Sequence, residues 1–254
     1  MCLIVLGQNI HPKYKLILVA NRDEFYLRPT QSAHFWEGDN KLLAGKDLEA
    51  GGTWMGINKF GHLAAVTNFR DPINYQNNKA SRGQIPINFL NKETTAVKYI
   101  AHLRKQANNF NGFNLISLDK EKLIHYNNQL GEETEISDGI HAISNASLDT
   151  PWPKVLRAKE KFNKVISAEF SHDDLIELMS DGQTADPRDL PDTGIPKDLE
   201  EAVSAICIRT EKYGTCSTTA ITISHEGEVQ FTEKSYPVGK RTEGVVRFTF
   251  AIES

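Results

Sequence analysis

The sequence has few of the features that define several common protein classes. Its 254 residues include only three cysteines, Cys2, Cys207 and Cys216, which are too few for a disulfide framework and are not spaced like metal ligands. No apolar stretch approaches the roughly 18 residues of a membrane-spanning helix. The eight histidines include no HExxH motif and no pair four residues apart, so we expect no metal site.

The charges are also unremarkable, and this excludes further classes. Lys and Arg number 29 against 33 Asp and Glu, which gives a formal net charge of -4, and the basic residues are scattered along the chain. We therefore expect no nucleic-acid partner and no binding to a membrane surface. With 39% hydrophobic and 24% charged residues the composition is typical of a soluble globular protein. Without a signal peptide or disulfides, we expect a cytoplasmic protein, folded as a single domain over residues 1–254.

Apolar runs and turn residues predict strands at both ends of the chain, with helices between them. Residues 2–7 and 14–20 read as two strands of a hairpin. The spacing of apolar residues predicts helices over residues 81–90, 94–106, 152–166 and 171–179, and further strands over residues 113–118, 123–127, 141–144, 202–208, 215–224, 228–235 and 245–252. The order strands, helices, strands, helices, strands favours an α+β fold in which helical layers cover two antiparallel sheets.

Cys2 is the residue with the most distinctive chemistry. Removal of Met1 would place a thiol and a free α-amine on the same residue. The amine has a reference pKa of about 7.7–8.0 and the thiol about 8.5, so the amine can accept the thiol proton near neutral pH. One residue would then supply both nucleophile and base. The alternative is that Cys2, at the start of an apolar strand, is a small buried hydrophobic residue.

A run of four polar residues, Asn21, Arg22, Asp23 and Glu24, follows the second predicted strand. A carboxylate beside an arginine stays ionised and could hold the α-amine of Cys2. The arginine could bind a substrate carboxylate or stabilise a thiolate. The alternative is a surface cluster of salt bridges, which would contribute little.

Two further strands end in a hydroxyl–amide pair, Thr67-Asn68 and Ser144-Asn145. The side-chain amide of asparagine donates two hydrogen bonds and suits an oxyanion hole, where one donor is worth roughly 2.7–4 kcal/mol in kcat. Asparagine also ends strands simply because it forms turns. Each pair alone favours the second interpretation, whereas together with Cys2 they resemble a catalytic scheme.

Taken together, the motifs resemble the NRDE family, which is named after the sequence at 21–24 and includes the transport-and-Golgi-organisation proteins. The resemblance runs nearly from end to end, through Met1-Cys2, Val19–Glu24, Gly52–Asn58, Ala65–Pro72, Ser81-Arg82-Gly83, Phe113-Asn114-Leu115, Ser144-Asn145-Ala146, Pro151–Lys154, Leu190–Gly194 and Tyr213-Gly214-Thr215. The family pattern is similar to that of the N-terminal-nucleophile (Ntn) hydrolases, such as bile-salt hydrolases and penicillin V acylases. This implies a four-layer αββα sandwich of two antiparallel sheets.

The resemblance also implies roles for individual residues. Cys2 would be the nucleophile, with Arg22 or Asp23 orienting it, and Asn68 and Asn145 would be oxyanion or substrate-positioning residues. The offset of the motif leaves the choice between Asp23 and Glu24 open. The remaining candidates, all for substrate binding, are Asn21, Glu24, Trp54 and Arg70. No cofactor is implied.

The chain departs from the expected family pattern at one position. Cys216 stands where Tyr-Gly-Thr-Arg would place an arginine. If that arginine supports the site, then Arg209, Arg241 or Arg247 must replace it here.

Two functions therefore remain open. The first is an Ntn-type cysteine amidohydrolase that cleaves a C–N amide bond of a small molecule. The second is a non-catalytic protein on an Ntn-like scaffold that binds and carries haem, acyl-CoA or a lipid, because a fold alone does not determine function.

Overall fold

The computed structural model describes residues 2–37, 41–239 and 241–253. The chain forms two compact units, each built around one antiparallel sheet. Unit 1 comprises residues 1–27 and 138–249, and unit 2 comprises residues 28–137 and 250–254. Met1, whose removal the Cys2 hypothesis requires, lies outside the described residues.

The described chain contains strands and helices with the following bounds. The strands are β1 Cys2–Gln8, β2 Tyr14–Phe25, β3 Thr30–Phe35, β4 Leu42–Asp47, β5 Met55–Asn58, β6 Leu63–Asn68, β7 Phe113–Leu118, β8 Leu123–Asn127, β9 Glu132–Glu135, β10 Gly139–Ile143, β11 Tyr213–Ser224, β12 Glu228–Ser235 and β13 Gly244–Ala251. The α-helices are α1 Gln84–Leu90, α2 Ala96–Arg104, α3 Pro153–Ile166, α4 His172–Leu178 and α5 Lys197–Ala202.

The six-stranded sheet of unit 1 has the order β10-β1-β2-β11-β12-β13. Alternate residues of a strand point to opposite faces, and one face of this sheet packs against α3 and α4. Its core contains Leu3, Val5, Ile17, Val19 and Ala220 from the strands, together with Val155, Phe162 and Leu175 from the helices. The other face carries Cys2 and the residues in register with it, because successive side chains of a strand point to opposite faces.

The seven-stranded sheet of unit 2 follows the chain order from β3 to β9. Its apolar face packs against α1 and α2 in a core that includes Ala64, Phe89, Ile100, Leu115 and Tyr126. Thr95 begins α2 as a cap, because its side chain accepts a hydrogen bond from the backbone N–H of Lys98 at 3.3 Å. Strands that follow one another along the chain pair directly. Several of these pairs are joined by short turns, whereas β6 and β7 are joined by residues 69–112, which include α1 and α2.

The expected fold class is confirmed: the protein is α+β, with two antiparallel sheets and a few helices. The predicted hairpin at the start of the chain is β1 and β2, and the helix predicted over residues 152–166 is α3. A single domain over the whole chain stays a prediction. Among the described residues no helix is long and apolar enough to cross a membrane.

The strand predicted over residues 202–208 is wrong. Ala202 ends α5, and the next five residues form turns and bends. The apolar side chains that suggested a strand, Val203, Ile206 and Ile208, are buried. The segment is held by a hydrogen bond from the N–H of Cys207 to the carbonyl of Asp181 at 2.8 Å. The segment is therefore apolar because its side chains are buried, although its backbone is irregular and is not paired as a strand.

Candidate functional site

Cys2 and Arg22 are direct cross-strand partners at the end of the β1–β2 ladder. Side chains that face each other in an antiparallel pair share one face of the sheet, with Cβ atoms roughly 4.5–5.5 Å apart. The row continues through Ser217 on β11 to Ser235 on β12. Cys2 therefore begins a polar row on the face of the sheet opposite α3 and α4.

Asp23 is buried, being 2% exposed, and is held by three neighbours. The hydroxyl of Thr215 donates to its Oδ1 at 2.7 Å, and the phenol of Tyr213 donates to its backbone carbonyl at 3.1 Å. Lys154, which is also buried, acts electrostatically on the carboxyl group. Alternation along β2 places Asp23 on the side of α3, opposite Arg22.

Burial governs the protonation of both central groups. It raises the pKa of the Asp23 carboxyl, while Lys154, the hydrogen bond from Thr215 and Arg22 act in the opposite direction. Burial also raises the pKa of the Cys2 thiol, and the Asp23 charge adds to this rise. A hydrogen bond that the Asp23 backbone donates to the sulfur and the charge of Arg22 oppose it. The Asp23 carboxyl therefore acts on the protonation of the Cys2 thiol.

Glu24, the second acidic residue of the motif, interacts with Arg22 and with its own neighbour in the chain. Its carboxylate is 3.8 Å from the Arg22 guanidinium, and its side chain is 26% exposed. It also accepts a hydrogen bond from the N–H of Phe25 at 2.8 Å. Of the two acidic residues that the sequence left open, the geometry around Cys2 favours Asp23 as the one that acts on the nucleophile.

Asn145 is brought to the same end of the sheet as Cys2. The hydroxyl of Ser144 contacts both the backbone carbonyl of Cys2 and the side-chain oxygen of Asn145, each at 3.2 Å. Asn145 is buried. The Ser144-Asn145 pair that directly follows β10 thus links Cys2 and Asn145, two of the predicted site residues, through one hydroxyl.

Asn21 has a different position from the one expected of a substrate-binding residue. It is buried on the helix side of the sheet, where its Nδ2 donates to the carbonyls of Met179 and Ile206 at 2.9 and 2.8 Å. Its Oδ1 accepts from the hydroxyl of Thr218 at 2.6 Å. These contacts anchor two irregular segments to β2, so the geometry supports a structural role for Asn21.

The other three predicted residues, Asn68, Trp54 and Arg70, belong to unit 2. Asn68 ends β6 opposite Phe113. The Trp54 ring lies so close to Gly45 that a Cβ there would be 2.3 Å from a ring carbon. Arg70 is partly buried just beyond β6. Their roles stay predictions, because the geometry described for Cys2 is internal to unit 1.

Cys216 occupies a β-bulge. Thr215 pairs with Asp23 and Ser217 with Arg22, so Cys216 between them has no residue opposite it in the β2–β11 ladder. Its thiol is fully buried and lies 3.5 Å from the backbone carbonyl of Glu24. A glycine is required two residues earlier, since a Cβ on Gly214 would be 2.3 Å from the carbonyl oxygen of Ile208.

Of the three arginines that could replace the missing one, Arg241 is the one that acts on these same groups. Burial lowers the pKa of Arg241, as does the neighbouring Arg22, while Cys216 and Glu24 oppose this. Arg209 instead acts with Cys207 and Tyr236. Arg247 pairs with Asp173 at 2.8 Å on the surface.

Three residues that the structure places around Asp23 had no predicted role, namely Lys154, Tyr213 and Thr215. All three occur within motifs that carried the resemblance. A lysine in the first turn of a helix is ordinarily predicted to be exposed to solvent. Lys154 is instead 2% exposed and donates to the carbonyl of Val203 at 2.9 Å. Only the fold shows that α3 directs it towards β2.

Comparison with solved structures identifies the class of fold. The Caenorhabditis elegans N-acylethanolamine-hydrolyzing acid amidase ortholog matches with a TM-score of 0.55 at 12% sequence identity, over 87% of this chain and 92% of that one. At this identity the likeness shows the fold alone. The protein thus has an Ntn-hydrolase-like fold.

Sequence comparison identifies the family. The model of the family Transport and Golgi organisation 2 matches residues 1–237. The human Transport and Golgi organization protein 2 homolog is 36% identical over 258 residues, which is 92% of this chain and 93% of that protein. The Bos taurus homolog is 35% identical over 257 residues, with the same shares. The chain therefore belongs to the Transport and Golgi organisation 2 family, as the NRDE motif predicted.

Proposed function

We propose that the protein is a cysteine amidohydrolase that cleaves a C–N amide bond of a small molecule, with Cys2 as an N-terminal nucleophile once Met1 is removed. The observation that carries the proposal is the position of Cys2, in register with Arg22 and in electrostatic contact with the buried Asp23. The likeness in fold to a protein described as an acid amidase supports the choice of an amide substrate.

The reaction follows from the chemistry of an N-terminal cysteine. The α-amine takes the thiol proton, and the sulfur attacks the amide carbonyl carbon. The C–N bond then breaks, and the amine product leaves with a proton from the Cys2 ammonium group. Water attacks the thioester that remains, releasing the carboxylic acid and restoring the thiol. Asn145, which Ser144 links to Cys2, would be the amide donor for the developing oxyanion.

Asp23 has a specific place in this scheme. A buried carboxyl group beside a newly exposed α-ammonium group gains a partner of opposite charge, which favours its ionised form. Its hydrogen bond from Thr215 fixes the orientation of the carboxylate. Asp23 would therefore hold the amine of Cys2 in position rather than react itself.

Intact mass and turnover test the proposal. Mass spectrometry of protein made in a normal cytoplasm should show loss of one methionine. With a panel of N-acyl amides and detection of the released amine, Cys2→Ala should lower turnover by roughly a thousandfold or more. Cys207→Ala, which removes a buried thiol elsewhere in unit 1, should leave turnover within about threefold. Unchanged turnover in the Cys2→Ala variant would contradict the proposal.

One observation favours the second candidate, a non-catalytic binding protein. Burial raises the pKa of the Cys2 thiol, which keeps it protonated and less nucleophilic at neutral pH. A carrier of haem or acyl-CoA would bind its ligand whether or not Cys2 is present. Among the described residues no group of three His, Cys, Asp or Glu side chains could hold a metal ion. A Soret shift on haem titration that persists in Cys2→Ala, with no amide turnover, would favour this candidate.

A further inference from the structure

Unit 2 contains a cavity that the reaction at Cys2 does not use. It has a volume of about 530 Å³ and is formed by the start of β4, the β5–β6 turn, the end of α1 and the β7–β8 turn. This volume lies within the range of roughly 300–1,000 Å³ that is common for small-molecule sites. Two buried leucines, Leu42 and Leu90, contribute apolar surface to it.

The rim of the cavity is positively charged. Three lysines, Lys41, Lys92 and Lys120, line it together with a single carboxylate, that of Glu93. Other lysines nearby are neutralised, since Lys59 pairs with Glu253 and Lys122 with Glu135. Within the described part of the chain neither Lys41 nor Lys92 forms such an ion pair; the ammonium group of Lys41 lies 4.3 Å from the centre of the Phe60 ring.

The three lysines come from separate segments of unit 2 that only the fold brings together. Lys92 follows the end of α1, where a cation also stabilises the helix through its dipole. Lys41 and Lys120 come from other segments, a strand start and a hairpin turn, where this reason does not apply. Because the three lysines line one cavity, their ammonium groups repel one another, and a bound anion would relieve that repulsion.

His62 adds a polar group to the wall. Its ring stacks on Phe89, with ring centroids 5.5 Å apart. Its Nδ1 is buried and has no hydrogen-bond partner among the described residues. Burial lowers the pKa of His62, and Lys120 contributes to this, although Asp119 opposes it. The ring is therefore neutral at pH 7 and can donate one hydrogen bond from one nitrogen.

We propose that this cavity binds a small organic anion with a short apolar body and a carboxylate or phosphate group, the anion lying among Lys41, Lys92 and Lys120. The apolar body would contact Leu42 and Leu90, and the imidazole of His62 would complete the polar contacts. Divalent cations are excluded by the sign of the rim. The site involves unit 2 alone and does not depend on the proposed activity at Cys2.

Calorimetric titration of the full-length protein with hexyl phosphate, hexanoate and hexanol tests the site. At least one of the two anions should bind about tenfold or more tightly than hexanol, and its affinity should fall between about 0.05 M and 0.3 M salt. The two anionic probes distinguish a phosphate from a carboxylate ligand. The proposal would be overturned if hexanol bound as tightly as both anions, or if neither anion bound.

A matched pair of triple variants locates the binding. Lys41→Gln, Lys92→Gln and Lys120→Gln together should weaken binding of the preferred anion by about tenfold or more. The control, Lys98→Gln, Lys105→Gln and Lys197→Gln, changes net charge equally on exposed positions elsewhere. It should weaken binding less than about threefold. Equal weakening by both triples would show that only net charge matters and would overturn the site.

The imidazole of His62 provides a readout that is independent of affinity. In an NMR titration of the folded protein, the bound anion should raise the pKa of His62, because it favours the protonated ring. The other seven histidines should be unaffected. A pKa of His62 that does not change at saturating anion would place the binding elsewhere.

Discussion

At the scale of single residues, Arg22 and Asp23 are neighbours in sequence but lie on opposite faces of β2. Arg22 shares the face of Cys2 through cross-strand pairing, whereas Asp23 contacts Thr215 and the charge of Lys154 on the helix side. The two therefore act on the nucleophile in different ways. Arg22 supplies positive charge beside the thiol, and Asp23 supplies a buried carboxyl group whose ionisation depends on what pairs with it.

The first prediction separates Asp23 from Glu24. If Asp23 holds the α-amine of Cys2, Asp23→Asn should lower kcat/KM for the amide by about a hundredfold or more. Asparagine keeps the size and the acceptor for Thr215, so folding should be preserved. The matched variant Glu24→Gln, at a more exposed carboxylate, should change kcat/KM less than about threefold. A larger loss in Glu24→Gln than in Asp23→Asn would assign the role to Glu24.

A second prediction concerns Arg241. Because its charge acts on Arg22, Glu24 and Cys216, Arg241→Gln should lower kcat/KM by about tenfold or more. Arg247→Gln removes a surface arginine paired with Asp173 and should leave kcat/KM within about twofold. Equal effects of the two substitutions would mean that Arg241 has not taken the place of the arginine missing at Cys216.

At the scale of elements, α4 is joined to the sheet of unit 1 by a buried histidine. The ring nitrogens of His172 are 3.0 and 3.1 Å from the hydroxyls of Thr232 and Thr222. Burial lowers the pKa of His172 to about 4, and Arg247 contributes to this. The helix also has a capping box at Ser171 and Asp174. The packing of α4 on β11 and β12 thus contains a group that must stay neutral.

Stability should consequently depend on pH through His172. The unfolded chain binds a proton there below its ordinary pKa of about 6.5, whereas the folded protein does so only near pH 4. The stabilisation is fully present above about pH 6.5 and is lost as pH falls towards 4, by about 3 kcal/mol at most. Denaturant unfolding from pH 7 to 4 measures it. His172→Gln should flatten that decline, while His102→Gln, at an exposed site, should not.

The same elements show what the sequence could and could not predict. The two short apolar runs separated by a polar turn predicted the β1–β2 hairpin, whereas the pairing of Cys2 with Arg22 came from the structure. The local pattern could not indicate that residues 202–208 would be irregular, because buried turns and strands share an apolar composition. Nor could it indicate that Lys154, Tyr213 and Thr215 converge on Asp23, because these contacts join segments more than 100 residues apart.

At the scale of the whole molecule, the three cysteines are free and differ in access. Cys207 and Cys216 are 3% and 0% exposed, and Cys2 is partly exposed. A small thiol reagent applied to the folded protein should therefore modify Cys2 first. Because burial raises the pKa of its thiol, the rate should rise towards alkaline pH.

Peptide mass mapping after limited alkylation checks this expectation. The folded protein should carry a single label, on Cys2, and protein in denaturant should carry three. Labelling of Cys207 before Cys2 would show that the region around α5 and β11 opens more readily than its burial indicates.

The bulge in β11 has a consequence for how the chain tolerates changes of length. Cys216 is the extra residue of the ladder, so a chain shortened by this one position could keep every remaining pair between β2 and β11 in register. Away from this bulge and from the second register shift, between Ile223 and Ser224, loss of one residue would turn the following side chains to the other face. Among homologues, position 216 is accordingly a position where an alignment gap should leave the pairing of β2 with β11 intact.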